Sequence, residues 1–216
     1  MKILVVGSGG REHAIVRALR RTWNGDELTL LCAPGNPGIA RDAECFPDVA
    51  DDDVDALVNL ARDQNVDLVA VGPELPLVTG LVDRCTEAGI AAFGPSLAAA
   101  RLEGSKIFSK EVMDAAGVPT ASHTVLRSRD EALAAVAGGA YPTVFKSDGL
   151  AAGKGVIICP DETAARTAIE QYFTEQRFGE TDVILESFLE GKEVSLLAVC
   201  DGERALPPMP ARDFQP

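Results

Sequence analysis

The apolar run Ile3-Leu4-Val5-Val6, ending in Gly7-Ser8-Gly9-Gly10 and opening into Arg11-Glu12-His13-Ala14, constrains this chain more than any other stretch. A short strand that stops in glycines and passes into helical spacing (Ile15, Val16, Leu19) leaves unpaired backbone N–H groups at a helix N-terminus. The helix dipole adds a preference for negative charge there, so the turn suits a phosphate. Plain strand-to-helix turns share the pattern, and the rest of the chain must decide between the two. A dinucleotide fold fails on two counts. The third small residue of G-x-G-x-x-G falls on Glu12, and the second strand ends at Cys32-Ala33 without an acidic residue for a ribose 2′-hydroxyl.

From residue 1 to about 95, short apolar runs (3–6, 28–32, 68–71, 90–93) alternate with helical spacing (12–21, 54–61, 77–88). Such alternation reads as βαβ units on an open parallel sheet with helices on both faces, an α/β class. Ligands of these sheets collect beyond the carboxyl ends of the strands. Those ends carry residues 7–10, Ala33-Pro34-Gly35-Asn36-Pro37-Gly38, Gly72-Pro73-Glu74-Leu75-Pro76 and Gly94-Pro95-Ser96, which predicts four special loops on one rim. Asp51-Asp52-Asp53 reads as an acidic helix start.

A short helical connector follows over 98–103, then a helix over 105–116 with Ile107, Phe108, Val112 and Met113 on one side, stopped by Gly117 and Pro119. Strands near 122–126, 144–145, 156–159 and 183–185 with helices near 130–137 and 162–173 make a smaller α+β unit. A strand at 194–199 and a tight turn at Asp201-Gly202 lead to Leu206-Pro207-Pro208-Met209-Pro210, which cannot be a central strand. These last strands end without an evident covering layer.

With 216 residues the chain has room for one or two domains. A net charge of −13 argues against nucleic acid, because a phosphate backbone demands a basic face. No apolar run approaches a membrane span, and the cytoplasm is the expected compartment. The five scattered cysteines form no C-x-x-C pair and read as buried free thiols. His13 reads as a packing or loop-orienting group and His123 as structural, so no histidine-based nucleophile is supported.

Two further constellations carry chemistry. Lys146-Ser147-Asp148-Gly149-Leu150-Ala151-Ala152-Gly153-Lys154-Gly155 joins a strand end to a strand start through small residues, where backbone can approach crowded anionic oxygens between two lysines. It is not a Walker loop, since three residues separate Gly149 from Gly153 and Gly155 stands where Ser or Thr would bind magnesium. Glu186-Ser187-Phe188-Leu189-Glu190-Gly191-Lys192-Glu193 follows a strand and offers backbone groups for a purine edge and a carboxylate for ribose. Acidic residues around a turn are also commonly just solvated.

Together with Glu103-Gly104-Ser105-Lys106, these motifs resemble the glycinamide ribonucleotide synthetase (phosphoribosylamine–glycine ligase) family, ATP-grasp ligases of purine biosynthesis. The resemblance runs in order from residue 1 to about 206. It implies a phosphoribosylamine-binding, pre-ATP-grasp α/β domain over 1–103 and an incomplete α+β ATP-grasp domain over 104–216, with an ATP-binding subdomain at about 122–188 and a truncated second subdomain. In this family the first loop holds the substrate phosphate, which would fall to Gly9, Gly10 and Arg11. Asn36, Gly38 and Glu74 would lie beside the sugar, and Asp213 would also belong to the substrate site. Lys106 and Lys146 would be the catalytic lysines on the nucleotide phosphates. Asp148, Gly149, Gly153, Lys154 and Gly155 would form a closing flap, Glu186 and Leu189 the adenine hinge, and Glu193 the ribose ligand.

The implied reaction activates glycine's carboxylate with ATP to an acyl phosphate, which the amine of 5-phosphoribosylamine attacks. ATP and Mg2+ are the implied cofactors. The family is roughly twice this long, and its later half supplies the magnesium ligands, so none is assigned here. At the end of the chain only Ala211 and Asp213 match the family pattern, Arg212 standing where it has Gln. The chain alone is therefore expected to lack ligase activity, and a complementary C-terminal chain is an expected partner. A binding module without catalysis and another ATP-grasp carboxylate–amine ligase are the alternatives; the G-G-R-E-H-A and P-G-N-x-G pair points away from the latter.

Overall fold

Along β1 (Lys2–Gly7), Ile3 and Val5 point to one face of a sheet and Leu4 and Val6 to the other, and both sets are buried. A strand apolar on both sides must be covered on both sides. Ile3 and Val5 pack with Val16 of α1 (Gly10–Thr22), whereas Leu4 and Val6 pack with Leu57, Val58 and Ala61 of α2 (Val54–Asp63) and with Leu81 and Cys85 of a later helix. The computed structural model in which this is seen describes residues 1–150 and 155–212; the expectations on Gly153, Lys154 and Asp213 lie outside the described residues.

β1 is central in a five-stranded parallel sheet with β2 (Thr29–Pro34), β3 (Glu44–Cys45), β4 (Leu68–Val71) and β5 (Ala91–Phe93), in the order β3-β2-β1-β4-β5. The chain winds outward from β1 to β3, then returns to β4 on β1's other side. A topological switch point therefore lies between β1 and β4, and the loops after these two strands flank it. β3 falls where the sequence reads only as loop, because two residues carry no periodicity. The expected helix over 77–88 is two helices, α3 (Glu74–Val78) and α4 (Leu81–Glu87), broken where Gly80 takes φ +90°. Asp53 caps α2 by accepting from the Ala56 N–H, as its acidic run leads one to expect.

Helices α5 (Leu97–Gly104) and α6 (Lys106–Ala116) lead to a second, antiparallel sheet. It comprises β6 (His123–Leu126), β7 (Thr143–Ser147), β8 (Val156–Cys159) and β9 (Val183–Ser187) in the order β6-β9-β7-β8. One face of this sheet, with Phe145 at its centre, is covered by α7 (Arg129–Val136), α8 (Glu162–Ile169) and the π-helical turn Glu170–Thr174 that continues α8. The other face looks toward the first sheet's rim.

The last segment holds β10 (Val194–Ser195), β11 (Val199–Cys200), β12 (Ala205–Leu206) and β13 (Ala211–Arg212). The expected strand over 194–199 is split, β10 pairing with β13 and β11 with β12. Leu197, Leu206 and Met209 are exposed, so these ladders have no apolar layer over them among the described residues. Cys32, Cys85 and Cys159 are buried free thiols, as expected; Cys45 is half-buried and Cys200 exposed on this open segment, against expectation. Burial pushes the Cys32 thiol up to about 12.

Candidate active site

At the switch point the glycine turn is organised by Glu12. Glu12 is 3% exposed, and its carboxylate accepts from the Gly9 N–H at 2.6 Å and from Arg11 Nε at 3.0 Å. A Cβ on Gly7 or Gly72 would collide with this side chain, so two glycines from separate loops close around one buried carboxylate. The residue that breaks the dinucleotide pattern is thus the one that holds the loops after β1 and β4 together.

Arg11 projects from the first turn of α1 to Glu74 at the start of α3, with Nη1–Oε1 2.8 Å and Nη2–Oε2 3.3 Å. Hydrogen bonding to Arg11 holds the Glu74 carboxyl below its ordinary range, and the Arg11 guanidinium rises in turn. Asn36 ties the loop after β2 to the same place: its Nδ2 donates to Ser8 O at 2.7 Å, and its Oδ1 accepts from the Gly38 and Ile39 N–H groups. His13 packs on Gly38, where a Cβ would meet its ring at 2.8 Å. Gly9, Gly10, Arg11, Asn36, Gly38 and Glu74 are therefore together on one rim, and the space beside Gly10 is open.

The facing sheet contributes charge. Antiparallel pairing sets Val144 opposite Glu186 and Lys146 opposite Ile184, so Lys146 and Glu186 are diagonal neighbours on one face, within reach of a long side chain. Lys146 Nζ lies 2.7 Å from Glu186 Oε2, and Lys110 Nζ of α6 lies 3.1 Å from Glu186 Oε1. Burial pushes the Glu186 carboxyl up, but the hydrogen bonds and charge of Lys146 and Lys110 outweigh it and hold the group below its usual value. Lys106 Nζ donates to Gly149 O at 2.8 Å. The Asp148 carboxylate accepts from Ser105 Oγ and the Ile107 N–H, which pins the start of α6 rather than facing open space.

One cavity of about 960 Å3 joins the two halves. Pro73, Glu74 and Leu75 come from the rim, and Lys106, Lys110, Lys146, Gly149, Gly155 and Glu186 from the second unit. Leu102, Met113, Ala121, Val156 and Leu189 add apolar wall. Glu193 is exposed and is not among the residues that line this cavity. Sequence reasoning missed Lys110 and the buttressing role of Glu12. The one signal for Lys110 is its i,i+4 spacing from Lys106, which puts both on one helix face.

The N-terminal domain profile of phosphoribosylglycinamide synthetase matches residues 1–103, and the ATP-grasp (A) domain profile of the same protein matches residues 104–216. The chain belongs to the phosphoribosylglycinamide synthetase family. A phosphoribosylamine–glycine ligase of Streptomyces coelicolor is 49% identical over all of this chain and 49% of its own length, and one of Rhodopirellula baltica is 44% identical over 99% of this chain and 50% of its own. The chain thus spans about half the length of the curated synthetase relatives it matches. A solved phosphoribosylamine–glycine ligase from Thermotoga maritima, 28% identical, superposes with a TM-score of 0.79 over 96% of this chain and 49% of its own. An N5-carboxyaminoimidazole synthase from Aspergillus clavatus, 18% identical with a TM-score of 0.76, shares the fold. Among the described residues of this synthetase-family chain, no helix is long and apolar enough to cross a membrane.

Proposed function

We propose that this chain forms the phosphoribosylamine-binding and nucleotide-binding half of an ATP-dependent ligase. The reaction joins glycine to 5-phosphoribosylamine, giving glycinamide ribonucleotide, ADP and phosphate. The observation that carries this reading is the shared cavity, with Glu74 of the rim on one wall and Lys106 and Lys146 on the other. Residues 1–103 take the sugar phosphate: Gly9, Gly10 and Arg11 its phosphate, Asn36, Gly38 and Glu74 its ribose. Residues 104–216 take ATP, with the apolar wall for the purine and the lysines for the phosphates.

Lysines in a partly apolar cavity stabilise charge on a transferring phosphoryl group better than they would in open water. Magnesium would add further neutralisation. Among the described residues no three His, Cys, Asp or Glu side chains gather as a metal shell, so its ligands would come from outside them. The exposed apolar residues of the final ladders support a complementary segment as partner. The cytoplasm is the compartment we propose.

Reconstitution tests the reading. The chain is mixed with the separately expressed C-terminal half of a full-length relative, and glycine-dependent ADP formation is followed. Turnover only in the mixture supports it. Turnover by neither half nor mixture, with both folded, favours a binding module that does not catalyse.

A further inference from the structure

Lys110 and Lys106 share a face of α6 but differ in what they can offer a ligand. The three N–H donors of an ammonium meet three acceptors at Lys110: Thr120 Oγ1 at 2.7 Å, Glu186 Oε1 at 3.1 Å and Ala121 O at 3.3 Å. Its side chain is 7% exposed, so it borders the cavity without a donor to spare. Lys146, at 29%, is the open end of the same row and is joined to it through the other oxygen of Glu186.

A buried ammonium is costly unless charge and hydrogen bonds offset its desolvation. Here the offsetting carboxylate is the one that also holds Lys146. With Lys110 on Oε1 and Lys146 on Oε2, the Glu186 carboxylate is held between two ammoniums. Without Lys110 the carboxylate is free to turn and to draw Lys146 fully into its own neutralisation, away from a ligand. Asp148 on Ser105 and Ile107 anchors the same helix one turn earlier, so α6 is fastened at two points, the first of which brackets Lys106.

We infer that Lys110 is a positioning residue, acting through Glu186 to set the Lys146 ammonium at the cavity wall for nucleotide phosphates. Its last step rests on the nucleotide reading given above; the Lys110–Glu186–Lys146 coupling does not.

The experiment therefore has two readouts on the whole chain. The Glu186 carboxyl is titrated by 13C NMR, assigned with Glu186→Gln, and ATP is titrated calorimetrically, in wild type, Lys110→Met and Lys110→Arg. In Lys110→Met the Glu186 midpoint should rise by about one pH unit or more, and ATP binding should weaken about tenfold. Lys110→Arg should restore both to within about threefold, since a guanidinium keeps the charge and the hydrogen bonds. Wild-type values for both readouts in folded Lys110→Met, or equal damage in the Met and Arg variants, overturns the inference. Where Lys110→Met does not fold, Thr120→Val, which removes one anchor of the ammonium, should move both readouts in the same direction, and its failure to do so overturns the inference equally. A wild-type chain that binds no ATP refutes the nucleotide reading, while the Glu186 titration still decides the coupling.

Discussion

Arg11 and Glu74 face each other across the gap between β1 and β4, paired through both terminal guanidinium nitrogens and both carboxylate oxygens. Each is assigned to the sugar phosphate in the proposed function, yet here each neutralises the other. A phosphate must compete with Glu74 for Arg11. Glu74→Ala should therefore tighten inorganic phosphate severalfold while weakening ribose 5-phosphate, which also loses a partner for its hydroxyls. Calorimetry with the two ligands checks this; affinities that move together would remove Glu74 from the ribose site.

Acid should act through Glu186. Its carboxyl is held low in the folded state, so its contribution to stability is complete above the unfolded value of about 4.3 and is lost as pH falls through the lower folded value. Urea midpoints of wild type and Glu186→Gln should differ by a constant amount above about pH 5 and draw together as pH falls below about 4.3. A gap that stays constant to about pH 3 would mean the carboxylate is not the titrating group.

The glycines of the rim should divide by their surroundings. Gly72→Ala places a methyl against the buried Glu12 carboxylate and should cost about 1–3 kcal/mol. Gly10→Ala meets open space at the first helical position and should stay within about 0.5 kcal/mol of wild type. Thermal unfolding of the two variants side by side measures the contrast.

Tyr172 ties the π-helical turn to the mouth of the cavity, its hydroxyl lying 3.0 Å from Gly155 O and 3.2 Å from Phe145 O. Tyr172→Phe keeps the ring and removes the donor from a buried site, which should cost about 1–2 kcal/mol. Hydrogen exchange at Ser147, whose N–H donates to Gly155 O, should quicken as well. Unchanged stability and exchange would show that water replaces the hydroxyl.

Much of this architecture is legible because it rests on local pattern. Leu68–Val71 and Val156–Cys159 have the bounds that their apolar runs predict, and the gathering of four loops on one rim follows from parallel strands alone. Breaks decided by a single backbone angle are not legible: Leu81 and Val78 share helical spacing, and only the left-handed conformation at Gly80 separates their helices. Charges that work in pairs are also hidden. Lys110 reads as one more solvated lysine on an amphipathic helix until α6 packs over the second sheet and sets it against Glu186. Glu12 reads as a failed glycine until the loop after β4 folds over it.

In the proposed function one cavity holds a sugar phosphate at the rim and a nucleotide at the lysines, side by side. Titrating ATP into the chain with and without saturating ribose 5-phosphate tests it most directly, with Lys146→Ala and Arg11→Ala as controls. Both ligands should bind together, Lys146→Ala should weaken ATP alone, and Arg11→Ala should weaken ribose 5-phosphate alone. Mutual exclusion of the two ligands, or loss of both in either variant with the fold intact, would contradict it.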